Sequence, residues 1–127
     1  MHIYKAYDDA YDLLKTYLVK GCLHGFAGGY QQAERFVKLG LKIGVNATIL
    51  KDNARRYHQL VQMLDLESLL LETDAPKIAY PTTRPGDLEM IEQVAQKVAE
   101  LKQDSLEQVA EITTQNALES FSLEFIK

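Results

Sequence analysis

Near the middle of the chain, an apolar run of three leucines leads directly into two acidic residues. The run 69–71 is followed by Glu72-Thr73-Asp74, and Pro76 comes two residues later. An uninterrupted apolar run of this kind is typical of a strand buried on both faces, as in a parallel sheet covered by helices. Carboxylates are costly there unless they are paired, and α/β folds bind ligands at the carboxyl ends of their strands. Asp74 is therefore the first candidate for function.

The rest of the chain alternates strand-like and helix-like segments. Strands are predicted at 21–26, 41–45 and 69–73, with a stub of a further strand at 1–3. The first helical face consists of Ala10, Leu13, Leu14, Tyr17 and Leu18. Later helices are predicted at 31–39, 54–64, 88–101 and, beginning at the cap Ser105, to about Leu118. This order predicts an α/β fold of about four βα units with a parallel sheet, in one domain over residues 1–127.

Composition places the chain among ordinary globular proteins. It has 127 residues, of which 46% are hydrophobic and 25% charged, and a net charge of −4. The acidic balance argues against a protein that coats nucleic acid by bulk charge. We expect no membrane span, because no apolar run reaches the length of about 18 residues that one needs. A single cysteine and no signal pattern at the start predict a cytoplasmic protein.

Two predicted strands end in residues that could bind a metal ion. His24 stands at the end of one strand and Asp74 at the end of another, so both side chains should project from the same edge of a parallel sheet. Imidazole nitrogen and carboxylate oxygen are the usual ligands of catalytic zinc, manganese and related ions. The pair alone leaves a structural alternative open, in which His24 is a hydrogen-bonded strand-end residue and Asp74 forms a cap or turn.

Glycines follow His24 and precede a predicted helix. In Gly25-Phe26-Ala27-Gly28-Gly29 they could let the backbone approach a phosphate at the helix N-terminus. Equally, such a turn could simply need residues that tolerate positive φ. A basic group, Lys51, Arg55 and Arg56, is interpreted as a solvated helix face in preference to a DNA track.

Two motifs resemble those of the TatD family of metal-dependent deoxyribonucleases. The segment Leu69-Leu70-Leu71-Glu72-Thr73-Asp74-Ala75-Pro76 is similar to the family's closing motif, and Cys22-Leu23-His24-Gly25-Phe26-Ala27-Gly28-Gly29 to its upstream histidine motif. The resemblance covers nearly the whole chain. It implies a TIM-type (β/α)8 barrel that hydrolyses the phosphodiesters of DNA with divalent metal ions, magnesium, manganese or zinc, at its C-terminal mouth.

The resemblance also implies roles for individual residues. His2, His24 and Asp74 would be metal ligands, and Asp74 would position and deprotonate the attacking water. Gly28, Gly29 and Arg84 would contact substrate phosphate. Glu72 would either orient one of the metal ligands without binding the metal itself or serve as a structural acid.

The resemblance is to the C-terminal half of the family only. The family's first-strand His-x-His pair and its metal-bridging glutamate have no counterpart here, Ala27 replaces the usual serine, and Arg84 lies in a divergent loop. We therefore expect impaired hydrolysis, and whether the chain is an enzyme stays open. The alternatives are an inactive, self-associating half-barrel and an amidohydrolase-like barrel with another substrate.

An open half-barrel should expose apolar side chains that a closed barrel would bury. We expect Leu23, Ile43, Val45 and Leu70 to meet water, each at a cost of roughly 1.5–3 kcal/mol. The chain should then form a homo-oligomer or associate with a complementing N-terminal half.

Overall fold

The computed structural model describes residues 1–75, 77 and 89–124. Over these ranges, helices and parallel strands alternate along the chain. In order they are α1 (Tyr7–Leu14), β1 (Gly21–Leu23), α2 (Tyr30–Lys38), β2 (Leu41–Val45), a 3-10 helix (Ala47–Leu50), α3 (Arg55–Met63), a second 3-10 helix (Leu66–Ser68), β3 (Leu69–Leu71), α4 (Met90–Lys102) and α5 (Leu106–Phe121). No helix in this described part is long and apolar enough to cross a membrane.

The described strands form one parallel sheet in the order β1-β2-β3. Leu23 pairs with Ile43, and Ile43 pairs in turn with Leu69 on the other side. Outside these strands, His2 forms a parallel bridge with His24, which confirms the predicted strand stub at residues 1–3. All the carboxyl ends therefore lie along one edge, as the α/β prediction requires.

One face of the sheet packs against the helices and forms the core. Leu23, Ile43 and Val45 are at most 1% exposed and belong to the same apolar cluster as Phe36 of α2 and Val94 of α4. Strand side chains alternate between the two faces, so the intervening Lys42 and Gly44 belong to the opposite face. Burial of these aliphatic side chains on the helix side fixes which edge residues face the barrel interior.

The expected exposure of barrel-interior residues was wrong. Leu23, Ile43 and Val45 lie on the helix side, and Leu70, although outside that cluster, is only 5% exposed. The error came from assigning these four residues to the interior, whereas the alternation along the strands directs Leu23, Ile43 and Val45 to the helix side. Association of the chain remains a prediction, but the burial of these four residues no longer supports it.

The first helix is shorter than its apolar spacing predicted. Helix α1 ends at Leu14, and the hydroxyl of Thr16 donates a hydrogen bond of 2.9 Å to the carbonyl of Leu13. Such a local side-chain bond competes with further helical turns. As a result Tyr17 and Leu18 are exposed and do not continue the helical face.

The last helix begins as predicted. The hydroxyl of Ser105 accepts a hydrogen bond of 3.1 Å from the backbone N–H of Gln108, which satisfies one of the free donors of the first turn. The helix continues to Phe121, three residues beyond the predicted end at Leu118.

Candidate metal centre

His24 lies at the carboxyl edge of the sheet, immediately after β1. Its Nδ1 is 2.8 Å from Oε2 of Glu72, which follows β3. The second carboxylate oxygen of Glu72 accepts a hydrogen bond of 2.8 Å from the backbone N–H of Gly25. Since an ionised carboxylate only accepts, Nδ1 must carry the proton. The Glu72 bond thus fixes the ring orientation, and in the neutral imidazole it leaves the Nε2 lone pair directed towards another partner.

Asp74 faces that free nitrogen. Its Oδ1 lies 3.4 Å from His24 Nε2, and both side chains are a little more than one-third exposed. The backbone of Asp74 has a φ of 55°, in the left-handed region that aspartate tolerates better than most residues. A hydrogen bond of 2.9 Å from Lys77 N–H to the Asp74 carbonyl closes the turn that holds it. The edge therefore presents one imidazole nitrogen and one carboxylate oxygen to the same point.

The spacing of these two atoms suits a shared cation. A hydrogen bond between nitrogen and oxygen would normally be about 2.9 Å long. Two ligand atoms at about 2.1 Å from one octahedral or tetrahedral divalent ion lie roughly 3.0–3.4 Å apart. The observed 3.4 Å falls within that range, and the Glu72 contact gives His24 the tautomer that a metal ligand needs. In the described residues, however, no group of three His, Cys, Asp or Glu side chains is arranged to hold a metal ion.

His2 is the third predicted ligand, and it lies near His24. Its ring centroid lies 5.6 Å from that of His24, and its Nδ1 would be 3.3 Å from a Cβ atom at Gly25. Gly25 has a φ of 60° and no side chain, so it lets the His2 ring approach the edge. The structure therefore brings His2 beside His24, without completing a three-ligand set among the described residues.

Gly44 of β2 is a site residue that the sequence analysis missed. A Cβ atom there would lie 2.5 Å from Oε2 of Glu72, so the bare backbone of Gly44 makes room for this carboxylate above the sheet. A glycine inside a strand often marks such a close approach, and this signal was available in the sequence. The Glu72–His24 contact thus depends on a residue in the strand between them.

Tyr57 of α3 supports the same strand from the helix side. Its hydroxyl donates to the Gly44 carbonyl at 3.2 Å and accepts from the Asn46 N–H at 3.0 Å. Burial is the main reason why the pKa of the Tyr57 phenol is raised well above 10.0, so the hydroxyl keeps its proton and its donor role.

Of the three residues predicted to contact phosphate, the structure describes Gly28 and Gly29. Gly28 lines a cavity beside the edge, and Gly29 is the N-cap of α2. Arg84 lies outside the described residues. Glu72, whose role the sequence left open between orienting a ligand and serving as a structural acid, bonds directly to the candidate ligand His24.

A parallel βα domain with polar side chains gathered at the carboxyl ends of its strands has the architecture of a portion of a βα barrel. The chain belongs to the TatD related DNase family, whose sequence model matches residues 1–122. The predicted family and fold class, part of a TIM-type (β/α)8 barrel, are thereby confirmed.

Individual relatives agree with this membership. An uncharacterized metal-dependent hydrolase of Haemophilus influenzae is 35% identical over 126 residues, which are 96% of this chain and 48% of that protein. The uncharacterized metal-dependent hydrolase YjjV of Escherichia coli is 37% identical over 115 residues, 89% of this chain and 43% of the relative. The crystal structure of YJJV, a TatD homologue, superimposes with a TM-score of 0.88 at 35% identity and covers 97% of this chain and 49% of that one. The chain thus spans about half the length of these relatives.

Proposed function

We propose that this chain provides the His24–Asp74 part of the metal site of a phosphodiester hydrolase that acts on DNA. The observation that carries the proposal is the 3.4 Å approach of His24 Nε2 to Asp74 Oδ1, with the opposite ring nitrogen held by Glu72. Membership of a family of TatD related DNases supports phosphodiesters as the substrate class. The relatives' description as metal-dependent hydrolases supports a divalent cation, whose identity stays open between magnesium, manganese and zinc.

Each residue of the edge has a separate task in this proposal. A divalent cation, when bound, supplies positive charge that stabilises the charge developing on the phosphoryl oxygens. His24 and Asp74 would hold it, with His2, whose ring lies beside that of His24, as the third ligand that this proposal requires. Asp74 also accepts a hydrogen bond from the attacking water and takes up its proton. Glu72 keeps His24 in the Nδ1-protonated tautomer and so acts as a positioning residue.

Metal titration tests the proposal without requiring turnover. Manganese or zinc is titrated into the chain by calorimetry, and the expected result is binding that is lost in both His24→Ala and Asp74→Ala. Asp9→Ala, which removes an exposed carboxylate of α1, is the matched control and should bind as the original chain does. Equal affinity in all four proteins would contradict the assignment.

Hydrolysis of a DNA oligonucleotide with added magnesium or manganese tests the reaction itself. Turnover that disappears in Asp74→Ala supports the phosphodiesterase proposal. Turnover of amide or ester substrates, with no cleavage of DNA, would support the amidohydrolase-like alternative instead.

The second candidate function is a chain that binds metal weakly and does not cleave DNA by itself. The observation that favours it is that no three-ligand group forms within the described ranges. In this proposal the site is completed by a second copy or by a complementing half-barrel. This proposal is supported if metal affinity and activity rise with protein concentration or when such a half is added. It is excluded if a chain that is monomeric by analytical ultracentrifugation turns over DNA at a rate per molecule that does not depend on concentration.

A further inference from the structure

A cavity of about 420 Å³ lies beside the candidate metal centre. It is bounded by the loop after β1, which contains Gly25 and Gly28, and by the connection from β2 to α3, which contains Asn46 and Asn53. Gly25 belongs to both places, because its N–H donates to Glu72 and the residue also lines the cavity. A ligand in the cavity would therefore lie next to the His24–Asp74 edge.

Two consecutive arginines at the start of α3, Arg55 and Arg56, line this cavity. Arg55 and Arg56 are both exposed, and no described carboxylate lies within ion-pair distance of either. By contrast, Arg35 on α2 is paired with Asp8 at 2.7 Å. Two arginines without a described acidic partner are notable in a chain whose net charge is −4. Their planar donor forks suit phosphate oxygens, so an anion is the kind of ligand that these side chains would favour in the cavity.

Arg56 reaches across the cavity to the loop on its other side. Its terminal nitrogen would lie 3.6 Å from a Cβ atom at Gly29, so the guanidinium rests against the bare N-cap of α2. There it lies beside the free backbone N–H groups of that helix's first turn. Asn46, only 6% exposed, uses its side-chain oxygen to accept from Thr48 N–H at 3.0 Å, which leaves its amide nitrogen as a further donor.

We propose that this cavity binds a backbone phosphate of the DNA substrate, next to the bond that is cleaved at the metal edge. Arg55 and Arg56 contact the phosphate, and the remaining volume accommodates its nucleoside, since sites of this kind span about 300–1,000 Å³. The contact positions the strand without reading its sequence. The inference rests on the proposed function, because it makes DNA the ligand of the same edge. It also reverses the interpretation of Arg55 and Arg56 as a merely solvated face.

The test is binding of a fluorescein-labelled single-stranded oligodeoxynucleotide, measured by anisotropy in EDTA so that no metal contributes. The Arg55→Gln/Arg56→Gln double variant should bind about tenfold more weakly, because it lacks the charge-assisted hydrogen bonds to the phosphate. Its logarithmic salt dependence should become shallower by about 0.7 for each phosphate that the variant no longer neutralises. Lys51→Gln, which removes a nearby exposed charge outside the cavity lining, is the matched control and should stay within about twofold of the original chain.

A second measurement identifies the phosphate. One linkage at a time is replaced by an uncharged methylphosphonate, and the original chain should lose affinity at one position where the double variant loses none. The inference would be overturned if every linkage caused the same loss of affinity, or if the double variant bound as tightly as the original chain. It would also be overturned if inorganic phosphate displaced the strand and no single linkage were preferred. Because these experiments contain no metal, they succeed or fail separately from the His24 and Asp74 titrations that test the proposed function. A circular dichroism spectrum and a urea midpoint equal to those of the original chain confirm that the double variant is folded.

Discussion

The two ends of strand β3 differ in how completely their polar groups are hydrogen-bonded within the protein. At the amino end, the amide of Asn116 on α5 donates to the carbonyls of Leu66 and Leu69, at 3.0 and 2.8 Å. Asn116 is only 3% exposed. At the carboxyl end, the groups of His24 and Asp74 face each other at 3.4 Å and remain more than one-third exposed. The amino end is closed by the side chain of Asn116, and the carboxyl end is open to a ligand.

Because of this difference, we expect the amino end of β3 to contribute mainly to the stability of the fold and the carboxyl end mainly to ligand binding. Lys102 of α4 strengthens the closed end, since its ammonium donates to the carbonyls of Val61 and Leu64 at the end of α3. In barrel folds the amino face is the stabilising face and the carboxyl face holds the active site. Changes at the amino end should therefore alter the free energy of unfolding, whereas changes at the carboxyl end should alter metal affinity.

The largest effect is expected at the closed end. Asn116→Leu keeps a similar volume but leaves the Leu66 and Leu69 carbonyls without their donor. Each buried, unsatisfied polar group costs about 1–3 kcal/mol, so the variant should lose roughly 2–4 kcal/mol of stability in urea unfolding. Gln115→Leu, at the exposed neighbouring position, should change stability by less than about 0.5 kcal/mol. A metal affinity that falls together with stability in Asn116→Leu would break the separation of the two ends.

Much of this arrangement is predictable from the sequence. The three leucines 69–71 and the alternation of Leu41, Ile43 and Val45 predicted buried parallel strands, which the structure confirms. Parallel strands bring their carboxyl ends to one edge, so the proximity of His24 and Asp74 also followed from the order of the elements. These inferences rest on periodicity and topology, which a single sequence contains.

The remaining features depend on register and on local bonds. The contact of Glu72 with His24 requires Gly44 to lie beneath the carboxylate, and this follows from the pairing of Gly44 with Leu70, which periodicity does not specify. Asn116 received no role, because its partners are two carbonyls about fifty residues away in the chain. Such contacts are determined by tertiary packing, whereas apolar spacing reports only which face of an element is buried.

The next largest effect is expected from Glu72→Gln. The amide no longer provides a charged acceptor for His24 Nδ1, so the ring loses its fixed tautomer and part of its basicity. Metal affinity should fall about 10- to 100-fold, as is typical when such a partner of a metal-bound histidine is removed. Stability in urea should change far less than in Asn116→Leu. If the affinity is unchanged in calorimetry, Glu72 is a structural acid and the open end does not depend on it.

Gly44→Ala should act on the same contact without removing any polar group. The new methyl would lie 2.5 Å from Glu72 Oε2 and displace this carboxylate from His24, while Gly44 itself has no positive φ that would strain an alanine. Metal affinity should drop roughly three- to tenfold, with stability unchanged or raised by about 0.5 kcal/mol. In the Glu72→Gln background the substitution should have no further effect on affinity. Additive losses in that double-mutant cycle would show that Gly44 acts by another route.

The smallest expected effect concerns Cys22, which lies in β1 between the two ends of the sheet. Burial, and secondarily the negative charge of Glu72, raise the pKa of its thiol from 9.0 to about 12. Because the folded pKa is the higher one, the neutral thiol contributes stability below about pH 9.0 that is lost as the pH rises towards 12. Alkylation by iodoacetamide proceeds through the thiolate, so at pH 8 the folded chain should react much more slowly than the chain in urea.

Glu72→Gln removes the secondary cause and leaves burial unchanged. The alkylation rate of Cys22 should therefore rise only about two- to threefold, since one partly solvated charge contributes little beside desolvation. Gly44→Ala keeps the charge of Glu72, so its effect on this rate should be smaller still. A rate in Glu72→Gln that matches the unfolded chain would mean that the substitution opens the sheet itself. The loss of metal affinity in that variant would then reflect damage to the strands, and the division between a closed, stabilising end and an open, ligand-binding end would no longer hold.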